Sequence, residues 1–177
     1  MNVIIETNRL LLSTFTEDDA PLLYELNLDP EVTRFTHDPM PDLAHAKKVL
    51  QEIILPQYAL YNHGRWAVHQ KSNLEFIGWS GLKCHPERNE SDSYRIDLGY
   101  RFMKKFWEKG YATEAAFACL QYGFKKLNLS QIIGRALPGN LASIKVLEKC
   151  GMHYLGEEYA DGYLHKTYQA TNPAIQL

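Results

Sequence analysis

The stretch DLGYRFMKKFWEKGYAT, residues 97–113, decides the fold of this chain. It begins inside a segment, 94–103, where apolar and polar residues alternate with the period of two that is typical of a strand. The alternation stops at a short basic turn that contains Gly110, and a helical pattern opens at Thr113. Free N–H groups and the helix dipole converge where such a turn enters a helix. We therefore predict that this turn holds the pyrophosphate of a nucleotide-like cofactor.

Other interpretations of the same turn are weaker. The sequence has no G-x-G-x-x-G after a strand and no G-x-x-x-x-G-K-[ST]. The tetrapeptide KGYA, residues 109–112, matches the first half of an RNA-recognition signature, in which strand aromatics stack on bases. The second half of that signature requires strand residues, whereas residues 113–116 are helix-forming. The remaining alternative is an ordinary strand-to-helix turn.

Bulk composition limits the classes of function. The 177 residues are enough for one domain with a substantial core, and we predict a single domain over 1–177. The 19 basic and 21 acidic side chains nearly balance, so no bulk field indicates a nucleic-acid or membrane partner. Three widely spaced cysteines are typical of buried thiols in a reducing compartment. With neither an apolar run of roughly 20 residues nor a secretion signal, the sequence predicts a cytoplasmic protein.

The pattern along the chain predicts a mixed sheet with helices on its faces. Strands are predicted over 9–15, 65–69, 75–83, 94–103, 131–137, 152–159 and 163–170. Helices are predicted from Thr16 as N-cap to Asp29, from Leu43 until Pro56 kinks or stops the run, over 113–127, and from Asn140 to Cys150. The loop 30–42 is long enough to form a wall of a binding site.

Two motifs in this order, FWEKGYATEAA (106–116) and PGNLASIKVLEKCGM (138–152), resemble the GCN5-related N-acetyltransferases, the GNAT family. The opening ETNRLLL (6–12) and the DLGYRF strand (97–102) look like the ribosomal-protein N-terminal acetyltransferases of RimJ/RimL type. The resemblance covers essentially the whole chain. It implies an α/β (α+β) fold with a mixed, mostly antiparallel central sheet flanked by helices. The fourth and fifth strands would splay apart and receive the pantetheine arm of acetyl-CoA, the implied co-substrate.

The resemblance also implies which residues bind that co-substrate. The family's pyrophosphate loop falls on the consecutive residues Trp107, Glu108, Lys109, Gly110, Tyr111 and Ala112, with Thr113 opening the helix. Trp107 departs from the usual Arg or Gln, and Glu108 stands where a glycine is frequent, so its carboxylate should point to solvent or to Lys109. Phe102 and Met103 fall where the family's strand pairs with pantetheine through main-chain groups.

Asn140 and Ser143 match family positions that contact the cofactor or assist at the thioester. Each residue type also has a structural use here, Asn140 as a helix N-cap and Ser143 as a first-turn serine. Many family members carry a tyrosine that protonates the departing thiolate at the position of Leu147, which cannot do so. A thiolate of pKa about 8.5 hardly requires an acid at neutral pH.

The reaction implied is direct attack of a neutral amine on the thioester carbonyl. Asp97 lies where family members often carry a glutamate on the fourth strand, and it is the candidate for the base. The competing interpretation pairs Asp97 with Arg95 or Arg101 on the same strand face. Such a pair would lower the pKa of Asp97 and weaken it as a base. Both interpretations stay open.

The cost of deprotonation indicates the type of acceptor. At pH 7 an α-amine costs about 1 kcal/mol to deprotonate, and a lysine side chain costs about 4.6 kcal/mol. We therefore predict a protein N-terminal α-amine as the acceptor. A small-molecule amine (polyamine, amino sugar or antibiotic) is the alternative, and a polycation would predict an acidic groove. A non-catalytic acyl-CoA-binding sensor is a third reading, and a homodimer is compatible with the sequence.

Seven histidines are present, and His37, His153 and His165 are candidates to line the acceptor side. None of the seven has the spacing H-E-x-x-H or another metal-ligand pattern, so no metal site is predicted.

Overall fold

The computed structural model describes residues 1–86 and 94–174. The strands are β1 (Val3–Glu6), β2 (Leu10–Thr14), β3 (Arg65–Gln70), β4 (Phe76–Pro86), β5 (Tyr94–Phe102), β6 (Gln131–Ala136), β7 (His153–Ala160) and β8 (Tyr163–Thr171). They form one sheet in the order β1-β2-β3-β4-β5-β6-β8-β7. Neighbours are antiparallel except for β5 and β6, which are parallel. The mixed, mostly antiparallel sheet predicted from the sequence is confirmed.

The helices are α1 (Ala20–Asn27), α2 (Pro30–Thr33), α3 (Leu43–Val49), α4 (Leu55–Tyr61), α5 (Tyr111–Lys125) and α6 (Leu141–Lys149). A 3₁₀ turn, Glu17–Asp19, leads into α1, and a second, Lys104–Phe106, follows β5. The predicted cap at Thr16 is present, because the Asp19 carboxylate accepts the Thr16 N–H at 2.7 Å. No helix in the described ranges combines the length and the apolar character that a membrane span needs.

The two parallel strands diverge soon after they meet. Their register joins the single pair Asp97 and Ile133, whereas β5 pairs with β4 along its whole length. This is the splayed pair that the resemblance places at the fourth and fifth strands. In the structure these two strands are numbered β5 and β6. The numbers are one higher because β1, a four-residue strand at the sheet edge, was not among the predicted strands.

The sheet has one apolar and one partly polar face. Helices α5 and α6 cover the first face, where Ile96, Leu98 and Phe102 of β5 are buried. Helices α1 and α3 cover only part of the second face, packing on residues that include Phe76 and Trp79. The rest of the second face carries charged side chains at alternate positions, since successive strand residues point to opposite sides. The period of two in 94–103 therefore places alternate residues of β5 in the apolar core and on the polar face of the sheet.

One predicted helix boundary was wrong, and the structure decides against one of two alternatives at another. Helix α5 begins at Tyr111 rather than Thr113, because Gly110 takes a φ of +80° as its N-cap and starts the helix early. Of the two alternatives predicted for Pro56, a kink or a stop, the stop is excluded, because the helical run that starts at Leu43 continues into α4. A π turn, Leu50–Ile54, precedes it, and Pro56 then occupies the first turn of α4, where a helix does not need its missing N–H.

Candidate active site

The turn between β5 and α5 has the geometry of an anion site. Glu108 and Gly110 take left-handed φ values of +60° and +80°, which bend the chain into the helix. The N–H of Glu114 bonds to the carbonyl of Gly110 at 3.0 Å, so the N–H groups of 111–113 precede the first helical bond. These donors lie at the positive end of a 15-residue helix. The predicted pyrophosphate loop thus has the donors that a diphosphate needs.

Arg9 and Glu114 hold this turn in place. The Glu114 carboxylate accepts hydrogen bonds from the Thr7 hydroxyl at 2.6 Å and from Arg9 Nε at 2.6 Å. Arg9 Nη1 donates to the carbonyl of Lys109 at 2.9 Å. The sequence analysis gave neither Arg9 nor Glu114 a role, because residues 105 apart show no local pattern. The pairing of Arg9 with Glu114 fixes the N-terminus of α5 to the turn between β1 and β2.

The side chains of the turn point outward. Residues 107–110 are all exposed, so the Glu108 carboxylate faces solvent, in agreement with the first of its two predicted orientations. Lys105 is bound to Glu75 at 2.7 Å, and the Lys109 ammonium lies 5.4 Å from the centre of the Phe106 ring. The candidate anion site is therefore built from main-chain donors, with lysine charge at its rim.

The main-chain groups at the end of β5 differ in the hydrogen bonds that they already form. Met103 is already bonded at both main-chain groups, its N–H to Ile77 at 3.0 Å and its carbonyl to the N–H of Phe106 at 2.9 Å. Because hydrogen-bond directions alternate along a strand, the N–H of Phe102 points away from β4, toward the splay. The Phe102 carbonyl accepts the Trp107 indole N–H at 2.7 Å. The Phe102 N–H thus suits the predicted pantetheine contact, whereas the Met103 N–H is already bonded to β4.

A cavity of about 490 Å³ opens beside the splayed strands. It reaches Tyr100, Asn140, Ser143 and Leu147 on the helix side of the sheet. On the polar side it is lined by charged and aromatic residues, which are Phe35, His37, Asp38, Arg65, Trp79, Lys83, His85, Asp97, Arg101, Arg135, Asp161, Tyr163 and His165. The cavity therefore connects the two sheet faces through the gap between β5 and β6.

Asp97 lies in this cavity and is paired with Arg135, which donates from Nε at 3.0 Å and from Nη2 at 2.8 Å. Both expected partners were wrong: Arg95 binds Glu158 at 2.6 Å, and Arg101 binds Asp38 at 2.7 Å. Arg135 is the partner of Asp97 instead, because β6 lies beside β5 where Asp97 is registered with Ile133.

The environment of Asp97 suits a base. Burial raises the pKa of its carboxyl group above the ordinary value, and the charge of Arg135 and the bonds from it oppose that rise. Arg135 binds only the Oδ2 atom, and no described residue donates a hydrogen bond to Oδ1. An ionised Asp97 therefore keeps one oxygen available to accept a proton from a ligand.

His85 is a cavity residue that the sequence analysis did not select. Its Nε2 lies 3.6 Å from Asp97 Oδ2. Burial, reinforced by the charges of Lys83 and Arg135, lowers the pKa of His85 to about 4, so the ring is neutral at pH 7 and forms no ion pair. Strand alternation was the signal that could have found it, because Lys83 and His85 share one face of β4 and Lys83 is opposite Asp97. Of the three histidines expected at the acceptor side, His37 and His165 line the cavity and His153 does not.

The low pKa of His85 predicts acid sensitivity. The unfolded chain protonates this ring near pH 6.5 and the folded chain near pH 4, so protonation favours unfolding as the pH falls through that window. We expect His85 to account for a loss on the order of 2 kcal/mol in the free energy of unfolding. His85→Gln should flatten the pH dependence in urea denaturation between pH 6.5 and 4. A residual slope remains, since burial also lowers the pKa of His63 and His69. An unchanged slope would contradict the assignment.

Asn140 and Ser143 meet the cavity at the start of α6. The Asn140 side chain accepts the N–H of Ser143 at 3.1 Å, which confirms its predicted capping role. The Tyr100 hydroxyl lies 3.0 Å from Ser143 Oγ and donates to the Ser143 carbonyl at 2.9 Å. Tyr100 thus brings a second hydroxyl to the splay, beside Leu147, which has none. Burial raises the pKa of Tyr100, so its hydroxyl stays protonated.

The cysteines do not provide a nucleophile. Cys84, Cys119 and Cys150 are all buried free thiols, as predicted. Burial raises the pKa of Cys119 to about 12 and that of Cys150 to about 11, so both are protonated at neutral pH.

Comparison with known proteins identifies the family. A family model described as an acetyltransferase (GNAT) domain matches residues 9–153. The chain is 45% identical over 163 residues to YnaD, an uncharacterized N-acetyltransferase of Bacillus subtilis, covering 86% of this chain and 84% of that protein. It is 40% identical over 94 residues to the uncharacterized protein YkkB of the same organism, an alignment that spans only 53% of either chain.

A solved structure of RimL, a ribosomal L7/L12 α-N-protein acetyltransferase in complex with coenzyme A, shares the fold. It superimposes with a TM-score of 0.81 at 17% identity and covers 98% of this chain and 99% of that one. The family match, the identity to YnaD and this shared fold agree with one another. The chain therefore belongs to the GNAT family of acetyl-CoA-dependent N-acetyltransferases.

Proposed function

We propose that this protein acetylates the α-amine of a protein N-terminus by direct attack of the neutral amine on the thioester. One observation carries the proposal: the cavity joins the gap between β5 and β6 to a buried carboxylate with a free oxygen, Asp97 Oδ1. An amine that binds on the polar side can therefore lose its proton to Asp97 and reach a thioester held in the gap. An α-amine of pKa near 7.8 suits a single weak base.

Each end of the gap has a defined role in this proposal. When bound, acetyl-CoA supplies an activated acyl carbon. The main-chain donors of 107–113 hold its pyrophosphate, and the N–H of Phe102 orients the arm along β5. Asn140 fixes the first turn of α6, and Tyr100 holds the same turn by donating to the Ser143 carbonyl. The Ser143 hydroxyl is then the donor proposed for the departing sulfur. Holding both reactants in one slot supplies the orientation that the reaction needs.

The charges of the cavity argue against a polyamine acceptor. Four cations, Arg65, Lys83, Arg101 and Arg135, face three carboxylates, Asp38, Asp97 and Asp161. A polycation would require the opposite balance, because like charges repel in a partly desolvated site. A protein N-terminus of the RimJ/RimL acceptor type meets no such repulsion, which supports the subgroup suggested by the sequence.

The test is release of CoA from acetyl-CoA with a panel of acceptors. We expect peptides with a free N-terminus to be turned over, and the same peptides with a blocked N-terminus and a free lysine to be inactive. Turnover of spermidine or of an amino sugar alone would establish the small-molecule alternative. Binding of acetyl-CoA by calorimetry without turnover of any acceptor would establish the sensor.

Glu108 offers a separate test of the pyrophosphate site. Glu108→Gly removes a carboxylate beside the bound phosphates and suits the φ of +60°, which a non-glycine residue adopts at a cost. We expect the Kd for CoA, measured by calorimetry, to fall about threefold to tenfold. Glu108→Gln changes only the charge and should give part of the effect. An unchanged Kd in both variants would place the diphosphate elsewhere.

A further inference from the structure

Two cations of the cavity, Arg65 and Lys83, lie outside the direct ion pairs found among the described residues. Asp38 is bound by Arg101 and Asp97 by Arg135, as described above. Neither Arg65 nor Lys83 forms an ion pair with any residue in the described part of the chain. The remaining lining carboxylate, Asp161, lies exposed in the β7–β8 turn.

The two unpaired cations share the polar face of the sheet. Arg65 is registered opposite Gly81 on β4, and Lys83 follows Gly81 by two residues, so both side chains leave the same side. Gly81 is in turn opposite Gly99 on β5. Both glycines line the cavity, next to Arg65 and Lys83 on the same sheet face.

Arg65 is held in a position suited to an oxyanion. Its guanidinium lies 4.6 Å from the centre of the Trp79 ring, and its carbonyl accepts a hydrogen bond from the Tyr58 hydroxyl. Stacking on a ring leaves the edge N–H groups of a guanidinium free to donate to two oxygens at once. Burial lowers the pKa of both cations, and nearby carboxylates oppose the shift, Asp38 and Asp97 for Arg65 and Asp97 and Asp161 for Lys83.

The unpaired cations lie next to the base. Lys83 is registered directly opposite Asp97 across β4 and β5. A ligand that placed an oxyanion between Arg65 and Lys83 would therefore hold its amine within a few ångströms of Asp97 when the two groups are separated by a short chain. A carboxylate on the side chain of one of the first residues of a peptide meets this geometry.

We propose that the acceptor is an acidic protein N-terminus, whose Asp or Glu side chain among the first residues binds between Arg65 and Lys83. This inference rests on the proposed function, since it names the class of peptide that the same cavity selects. The carboxylate compensates the two cations, and its contacts fix the position of the α-amine relative to Asp97 Oδ1.

The experiment compares matched peptides that differ only in one charge. Acetylation of peptides beginning Ala-Glu, Ala-Gln and Ala-Lys is followed by CoA release with the full chain. We expect kcat/KM to be about 10- to 100-fold higher for Ala-Glu than for Ala-Gln, in line with hydrogen bonds to charged groups. Equal values for Ala-Glu and Ala-Gln would overturn the inference while leaving N-terminal acetylation intact.

Variants assign the effect to the two cations. Arg65→Gln and Lys83→Gln should each reduce the Glu-over-Gln preference to below about threefold, with the KM for acetyl-CoA unchanged. Lys83→Arg keeps the charge and should keep the preference. Lys145→Gln, on an exposed position of α6, is the matched surface control and should behave as wild type. A preference retained in both glutamine variants would overturn the inference.

Binding provides a readout that does not depend on turnover. The N-acetylated products of the Glu and Gln peptides are titrated into wild type and Arg65→Gln by calorimetry. Tighter binding of the Glu product to wild type alone supports the inference even if no peptide is turned over, in which case only the proposed function fails. Free glutamate and a phosphoserine peptide complete the panel. Turnover of either one without turnover of Ala-Glu would overturn the acidic-peptide assignment.

Discussion

Asp97→Asn is expected to lower kcat/KM for the amine acceptor by about 100- to 1,000-fold, the contribution of a positioned general base. Asparagine has the same shape and can still accept the two Arg135 bonds through its amide oxygen, so the arrangement in the cavity is retained. What is lost is a basic oxygen at the place of Oδ1. The variant should bind acetyl-CoA with wild-type affinity, because Asp97 is remote from the donors at 107–113.

The pH profile separates a base from a structural carboxylate. In wild type, kcat/KM should rise with pH as Asp97 ionises, and again as the acceptor α-amine loses its proton near pH 7.8. In Asp97→Asn, the rise in kcat/KM at lower pH, which comes from Asp97, should disappear. The rise near pH 7.8, which comes from the α-amine, should remain. Asp97→Glu is the control that retains a carboxylate and should retain the rise at lower pH. If Asp97→Asn left kcat/KM and both rises unchanged, Asp97 would be only the partner of Arg135.

Local sequence pattern predicted the parts of the site that the chain forms from neighbouring residues. The alternation in 94–103 predicted β5 and its two faces, and the glycine turn before a helical pattern predicted the strand-to-helix turn of the candidate anion site. Asn140 was predicted as an N-cap because capping joins residues three apart. Each of these features depends on interactions within one turn or one strand.

Ion pairs between residues of different strands could not be predicted from local sequence pattern. Arg135 reaches Asp97 only because β6 lies parallel to β5, and a parallel register depends on a crossover of some thirty residues. Arg95 and Arg101 were closer in sequence, but strand β7 and the loop before α3 supply their carboxylates, Glu158 and Asp38. The cationic character of the cavity follows from the same pairings, since they neutralise Arg101 and Arg135 and leave Arg65 and Lys83.

The sequence also shows no signal for the glycines at which two strands approach closely. Among these, substitution of Gly78 has the largest expected effect on stability. Gly78 has a φ of +152°, and a Cβ added there would lie 2.1 Å from the Arg101 carbonyl oxygen and 2.8 Å from Phe102 Cα. Because both atoms belong to the backbone of β5, rotation of a side chain cannot relieve the contact. Gly78→Ala is therefore expected to reduce the free energy of unfolding by about 3 kcal/mol or more.

Gly156 is the matched control for this substitution. It has nearly the same φ, +148°, and it too lies at a register shift, but nothing lies within 4 Å of its added Cβ. Gly156→Ala should therefore lose only the backbone term, about 1 kcal/mol. Urea denaturation of both variants isolates the cost of the clash as their difference. Because relief of the clash must displace Phe102, Gly78→Ala should also raise the KM for acetyl-CoA, whereas Gly156→Ala should not. Equal losses of stability in the two variants would show that β5 moves away freely, and the gap beside it would then not be a rigid slot.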